Sequence, residues 1–166
     1  MLFCANRMMV LTAIVALAAV AVTGAAPRVS EGQQHAPKKQ VIVPKGAPAM
    51  GLPFSPGLMV GDTLYLSGVI GAGADGMPVA GGLEPEMRQA FANAQGVLKA
   101  AGMDFADVVS VTVYLADIKD FPQMNTIYKE YFKTEPLPTR STVAVVALAR
   151  GAKMEITMTA ARTANQ

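Results

Sequence analysis

Val108-Val109-Ser110-Val111-Thr112-Val113-Tyr114-Leu115 alternates side chains at a period of two, the repeat of an extended strand. Val109, Val111, Val113 and Leu115 are expected on one face, packed under helices. Ser110, Thr112 and Tyr114 are expected on the other, more polar face. Downstream, Asp120-Phe121-Pro122-Gln123 reads as a helix start, with Asp120 as cap, Pro122 in the first turn and Gln123 closing a capping box. Phe121, Met124, Tyr128, Tyr131 and Phe132 recur at helical spacing, and Pro136 and Pro138 end the element. Arg140 to Leu148 is almost wholly apolar after its first three residues and is expected to form a strand buried on both faces. Lys153 to Ala161 alternates again, Met154, Ile156, Met158 and Ala160 against Lys153, Glu155, Thr157 and Thr159.

Upstream, Met87, Ala90, Phe91, Ala94, Leu98 and Ala101 form one apolar stripe, which predicts a helix over Glu84–Ala101 stopped by Gly102. Glu84 and Glu86 suit its first turn. Gly71 to Gly82, with the turn pair Asp75-Gly76, reads as a surface loop. It opens no strand-to-helix turn and lacks the Lys-Ser/Thr ending of a phosphate loop. Leu58 to Gly68 reads as a hairpin turning at Gly61-Asp62, and Val41-Ile42-Val43 as a short strand. The order is strand, strand pair, helix, strand, helix, strand, strand. Helices connecting strands in this way cover one sheet, and two helices cover only one of its faces. Residues such as Val143 and Val145 on an open face call for a second copy of the chain.

The chain has 166 residues and a formal charge of +2, with 52% hydrophobic and 16% charged residues. That length suits one domain able to bury its own core. The scattered basic residues give no footprint for nucleic acid. Met8 to Val22 is apolar or small except for Thr12. It follows the single charge of Arg7 and precedes Thr23-Gly24-Ala25-Ala26. These are the three regions of a secretory signal peptide over residues 1–26, and the run is short for a bilayer-spanning anchor. Export to the periplasm or the medium is the expectation, with membrane contact only through this segment if it stays uncleaved. Residues 27–39 read as a disordered linker, followed by one domain over residues 40–163.

One Cys (Cys4) and one His (His35) both fall outside that domain. A disulfide framework, a zinc cluster and Ser-His or Cys-His catalysis are thereby excluded from it. Most acids sit in turns or at helix ends, where capping explains them. Arg140, opening an apolar strand, and Glu155, interrupting the last one, stand apart. As residues they read either as a sheet-end arginine and a solvent-facing glutamate, or as a carboxylate-gripping fork and an acid with work to do.

Leu137-Pro138-Thr139-Arg140-Ser141-Thr142-Val143-Ala144-Val145, with Leu148 and Lys153-Met154-Glu155-Ile156, resembles the signature of the Rid (RidA/YjgF) family of enamine/imine deaminases. Leu66-Ser67-Gly68 and Val113-Tyr114-Leu115-Ala116-Asp117, with Phe121, Met124-Asn125, Tyr128 and Phe132, extend the resemblance over about Gln40 to Arg162. The resemblance implies a chorismate-mutase-like α+β fold, one mixed sheet with two helices on one face. It implies a homotrimer with sites between subunits, no cofactor, and hydrolysis of small 2-imino acids to 2-keto acids and ammonia. Carried over residue by residue, Arg140 would hold the substrate carboxylate and Glu155 would position the attacking water. Ser67, Asn125, Phe54 and Thr142 would line the site. Phe54 stands in the place of a family tyrosine, Thr142 where many members have Cys, Val69 where a polar residue is usual, and Val146 where a smaller one is.

One expectation needs no family. The short link between the last two strands makes them antiparallel, which puts Arg140 and Glu155 at opposite ends, on the order of 15 Å apart at ~3.3 Å per residue. One chain could not bring both to one small molecule. The competing reading is a non-catalytic homotrimer that binds small carboxylates or another protein. A ribonuclease role, attached to some relatives, lacks a histidine in the domain and a basic patch.

Overall fold

The structure, a computed structural model, describes residues 38–46, 51 and 53–162. The signal segment 1–26 and linker residues 27–37 lie outside the described residues. Seven strands, β1 Lys39–Ile42, β2 Gly57–Val60, β3 Thr63–Leu66, β4 Val69–Ile70, β5 Val108–Leu115, β6 Thr139–Ala144 and β7 Met154–Ala161, form one sheet. Two helices, α1 Leu83–Ala100 and α2 Phe121–Tyr131, pack on it. The sheet runs β1-β2-β3-β7-β5-β6, and β4 continues the β3 side of β7. Only β5 and β6 are parallel, joined through α2; the other pairings are antiparallel. This is the mixed-sheet, two-helix, chorismate-mutase-like α+β arrangement.

The core lies where the two periodicities meet. Met154, Ile156, Met158 and Ala160 of β7 and Val111, Val113 and Leu115 of β5 are buried against Met87, Ala90, Phe91, Ala94 and Leu98 of α1 and Met124, Ile127 and Tyr128 of α2. Phe91 stacks on Tyr131 with ring centroids 3.9 Å apart and meets Phe105, Tyr128 and Phe132 edge-on. Gly102 stops α1 in the left-handed region, φ 70°, and the Met103 amide returns to the Leu98 carbonyl at 2.9 Å.

Four local expectations are corrected. Lys39 opens β1, so the linker ends before residue 39. Val109 is 46% exposed, because the β5–β7 register shifts between Val108 and Ser110; Val108 takes the core position instead. Asp120 does not cap α2 with its side chain. A 3-10 turn, Ile118–Asp120, precedes the helix, and the Asp117 carboxylate accepts from the Lys119 amide at 2.9 Å. The strand expected over Arg140–Leu148 to be buried on both faces is the short edge strand β6, mostly exposed, with Val143 and Val146 open to solvent. Among the described residues its strand neighbour is β5, on one edge, and Val143 and Val146 stay exposed.

Candidate active site

Arg140 is registered with Val111 of β5, and residues in register share a face of the sheet. Val111 faces the helices, and so does Arg140. Its guanidinium carbon lies 4.5 Å from the ring centroid of Tyr128 and 5.9 Å from that of Phe121, both on α2. A cation over an aromatic face is held in place without being neutralised. Arg140 takes part in no ion pair among the described residues. Asn125 lies between Phe121 and Tyr128 on α2, about one turn from each. Thr142, two residues along β6 from Arg140, points to the same side.

Two hydroxyls there, Tyr128 Oη and Thr142 Oγ1, are buried without a hydrogen-bond partner among the described residues. Tyr128 is 8% exposed, and burial pushes its phenol up to about 12, the Arg140 charge pulling the other way. Sequence periodicity assigns Tyr128 to the core stripe, which is correct. Its second role as the seat of the guanidinium needs the α2–β6 crossover, which no local pattern contains.

Glu155 is registered with Tyr114 on the opposite, uncovered face. A cleft of about 350 Å3 opens there, lined by Glu155, Tyr114, Thr157, Gly68, Val145 and Leu148 among others. Gly68 passes so close to the carboxylate that a Cβ built on it would overlap Glu155 Oε1. Ser67, just before it, is tied back to the preceding loop. Its hydroxyl donates to the Ser55 carbonyl at 2.9 Å and its amide to that of Pro56 at 3.0 Å. Phe54, in the same loop, is 52% exposed.

The start of β7 is held by a residue that capping logic misplaces. Glu86, expected as a first-turn acid, is 3% exposed, and its carboxylate accepts from the Lys153 amide at 2.7 Å and the Met154 amide at 3.2 Å. It thereby fixes the backbone immediately before Glu155. The signal was present in the sequence, since Glu86 falls on the same stripe as Leu83, Met87 and Ala90.

The six candidate residues therefore divide. Arg140, Thr142 and Asn125 lie on the helix side of the sheet. Glu155 lies on the other face, in a cleft that Gly68 lines, while Ser67 directly before Gly68 is tied to the loop that carries Phe54. β6 and β7 do run antiparallel, but β5 lies between them. Two strand spacings across and three residues along separate Arg140 from Glu155 by about 14 Å between α-carbons.

The family model described as endoribonuclease L-PSP matches residues 45–162. The chain belongs to this family, that of the Rid (RidA/YjgF) proteins. Over 119 residues the Rid chain is 44% identical to human 2-iminobutanoate/2-iminopropanoate deaminase, spanning 71% of this chain and 86% of the relative. It superposes on a crystal structure of a conserved Rid-family protein from Yersinia pestis with a TM-score of 0.71 at 37% identity, covering 75% of this chain and all of that one. RidA from an Antarctic Psychrobacter gives 0.68 at 33% identity, over 74% of this chain and 99% of that one.

Proposed function

We propose that this Rid protein is an exported imine/enamine deaminase that hydrolyses small 2-imino acids to 2-keto acids and ammonia in clefts shared between the subunits of a homotrimer. Deaminase chemistry, the coarser part, stands on kinship with the curated 2-iminobutanoate/2-iminopropanoate deaminases. The observation that carries the choice of a carboxylate-bearing substrate is Arg140, a guanidinium seated on Tyr128 and without a counter-charge among the described residues. A planar fork of that kind binds a carboxylate bidentately.

Glu155 is the base. The oxygen of a water bonds to the imine carbon while the carboxylate takes one of its protons, and the C=N π pair moves onto nitrogen. That proton then passes to nitrogen, giving a carbinolamine. The carboxylate next takes the hydroxyl proton as the carbonyl forms and delivers it to nitrogen, so the C–N bond breaks and ammonia leaves. An imine carbon is already electrophilic, so holding the two reactants together supplies most of what is needed. Because Arg140 and Glu155 leave the sheet on opposite faces about 14 Å apart, the Arg140 of one copy is read as meeting the Glu155 of its neighbour. The exposed Val143 and Val146 are the apolar surface such an assembly would cover. Residues 1–26 are read as a signal peptide, which places the enzyme in the periplasm or outside the cell.

The test is ammonia release from freshly generated 2-iminopropanoate. Arg140→Ala is expected to lower kcat/KM at least ~100-fold, the scale of losing a charge-assisted bidentate contact. Undiminished turnover in that variant sinks the assignment. Carboxylate binding without turnover in the unsubstituted protein would select the non-catalytic trimer instead.

A further inference from the structure

The cleft around Glu155 holds one polar group that the mechanism above leaves unused. Tyr114 stands directly opposite Glu155 in the antiparallel β5–β7 ladder, on the same face, and lines the same cleft. Such a pair has its Cβ atoms about 5 Å apart. A phenol is longer than a carboxylate side chain, so from neighbouring stems its oxygen reaches further into the cleft than the acid does.

The other cleft side chains cannot do what this hydroxyl can. Val145, Ala147 and Leu148 are apolar, and Gly68 has no side chain. The Thr157 hydroxyl is engaged, donating to the Leu66 carbonyl at 2.9 Å. Ionised Glu155 only accepts. Tyr114 Oη has no hydrogen-bond partner among the described residues, which leaves it as the free side-chain donor in the cleft. Attack on a C=N bond shifts an electron pair onto nitrogen, beside the carbon that Glu155's water reaches. A donor placed next to that acid meets the atom where charge changes.

We propose that Tyr114 is a further catalytic residue, its phenol hydrogen-bonding the nitrogen of the 2-imino acid as water adds. The inference rests on the assignment of Glu155 made above. Tyr114 keeps its own proton throughout: it donates a hydrogen bond to the nitrogen lone pair. The two protons that nitrogen gains both come from the water by way of Glu155, one as water adds and one as the hydroxyl becomes the carbonyl. The contact strengthens as the transition state forms, so it acts on kcat more than on KM.

The experiment compares the full-length protein, Tyr114→Phe, Tyr114→Leu and Glu155→Gln in the 2-iminopropanoate assay, with melting temperatures measured alongside. Tyr114→Phe keeps the ring and is expected to lower kcat about tenfold, with KM and melting temperature little changed. Tyr114→Leu also removes the cleft wall and is expected to raise KM. Unchanged kcat in Tyr114→Phe overturns the role of the hydroxyl, whatever Tyr114→Leu does. Absence of turnover in the unsubstituted protein, or full turnover in Glu155→Gln, instead overturns the reading of Glu155 on which the proposal rests, and with it the proposal.

Discussion

The two faces of the sheet treat their charged residue differently. On the helix side, Arg140 lies over aromatic rings that belong to the core, within reach of Tyr128 and Phe121. On the open side, Glu155 stands over a glycine in a cleft that no helix of the described residues lines. The cation is held by packing that the fold needs anyway. The anion is held by room made for it, and by backbone fixed from beneath through Glu86. Damage to the first region should therefore register in stability as well as in binding, and damage to the second in activity with stability little changed.

The sharpest way to break the comparison is to separate the two halves onto different chains. Arg140→Ala and Glu155→Gln should each be close to inactive alone. If every site takes its arginine from one subunit and its glutamate from the next, co-refolding equal amounts gives active pairings at about a quarter of the interfaces of a closed ring. Activity in the mixture is therefore expected to return to about a quarter of normal, measured as ammonia release after purification of the mixed assembly. A mixture as inactive as its components would show that the two groups do not meet across subunits.

Gly68→Ala is the next largest effect. The added methyl group meets the far end of a flexible side chain, not backbone, so the carboxylate can swing aside and the fold survive. What is lost is the position of the base. A misplacement of about 1 Å costs on the order of a hundredfold in rate. The expected result is kcat lowered by ten- to a hundredfold, with the melting temperature near that of the unsubstituted protein. A large drop in melting temperature would mean that Gly68 serves the fold more than it serves Glu155.

The division into faces was legible in the sequence only on the side where periodicity reports it. β7 alternates cleanly, so Glu155 is assigned to the open face from Met154, Ile156 and Met158 alone. β6 misleads for a physical reason: an apolar run reads as buried whether the covering surface belongs to its own chain or to another, and here the chain leaves it exposed. Val109 misleads because a bulge shifts the register and no residue type announces it. The Pro-Thr-Arg-Ser motif marks Arg140 in sequence, but that Tyr128 seats it depends on α2 crossing over β6. The pairing of Tyr114 with Glu155 likewise depends on register, because the two residues are forty-one positions apart in the chain.

The smallest effect concerns the helix side and appears only in alkali. Tyr128 is neutral in the folded protein, and burial lifts its phenol from the ordinary 10.0 to about 12, the charge of Arg140 opposing the rise. Unfolding exposes the phenol and returns it to the ordinary value. Below about pH 10 both states hold the proton, and Tyr128 adds no pH dependence. Between about pH 10 and 12 the unfolded chain gives up the proton first, so the unfolded state binds fewer protons and folding stability falls as pH rises. The difference between the folded and unfolded phenol corresponds to about 2 to 3 kcal/mol at the upper end of that window. Tyr128→Phe keeps the ring beneath Arg140 and discards a buried hydroxyl without a partner. Near pH 8 this variant is expected to be as stable as the parent or slightly more so, because no hydrogen bond is lost. Urea unfolding at pH 9 and pH 11.5 should then show the parent losing more stability than the variant. Equal losses would mean that water already reaches the phenol, so that the seat of the guanidinium is as open as the cleft on the other face.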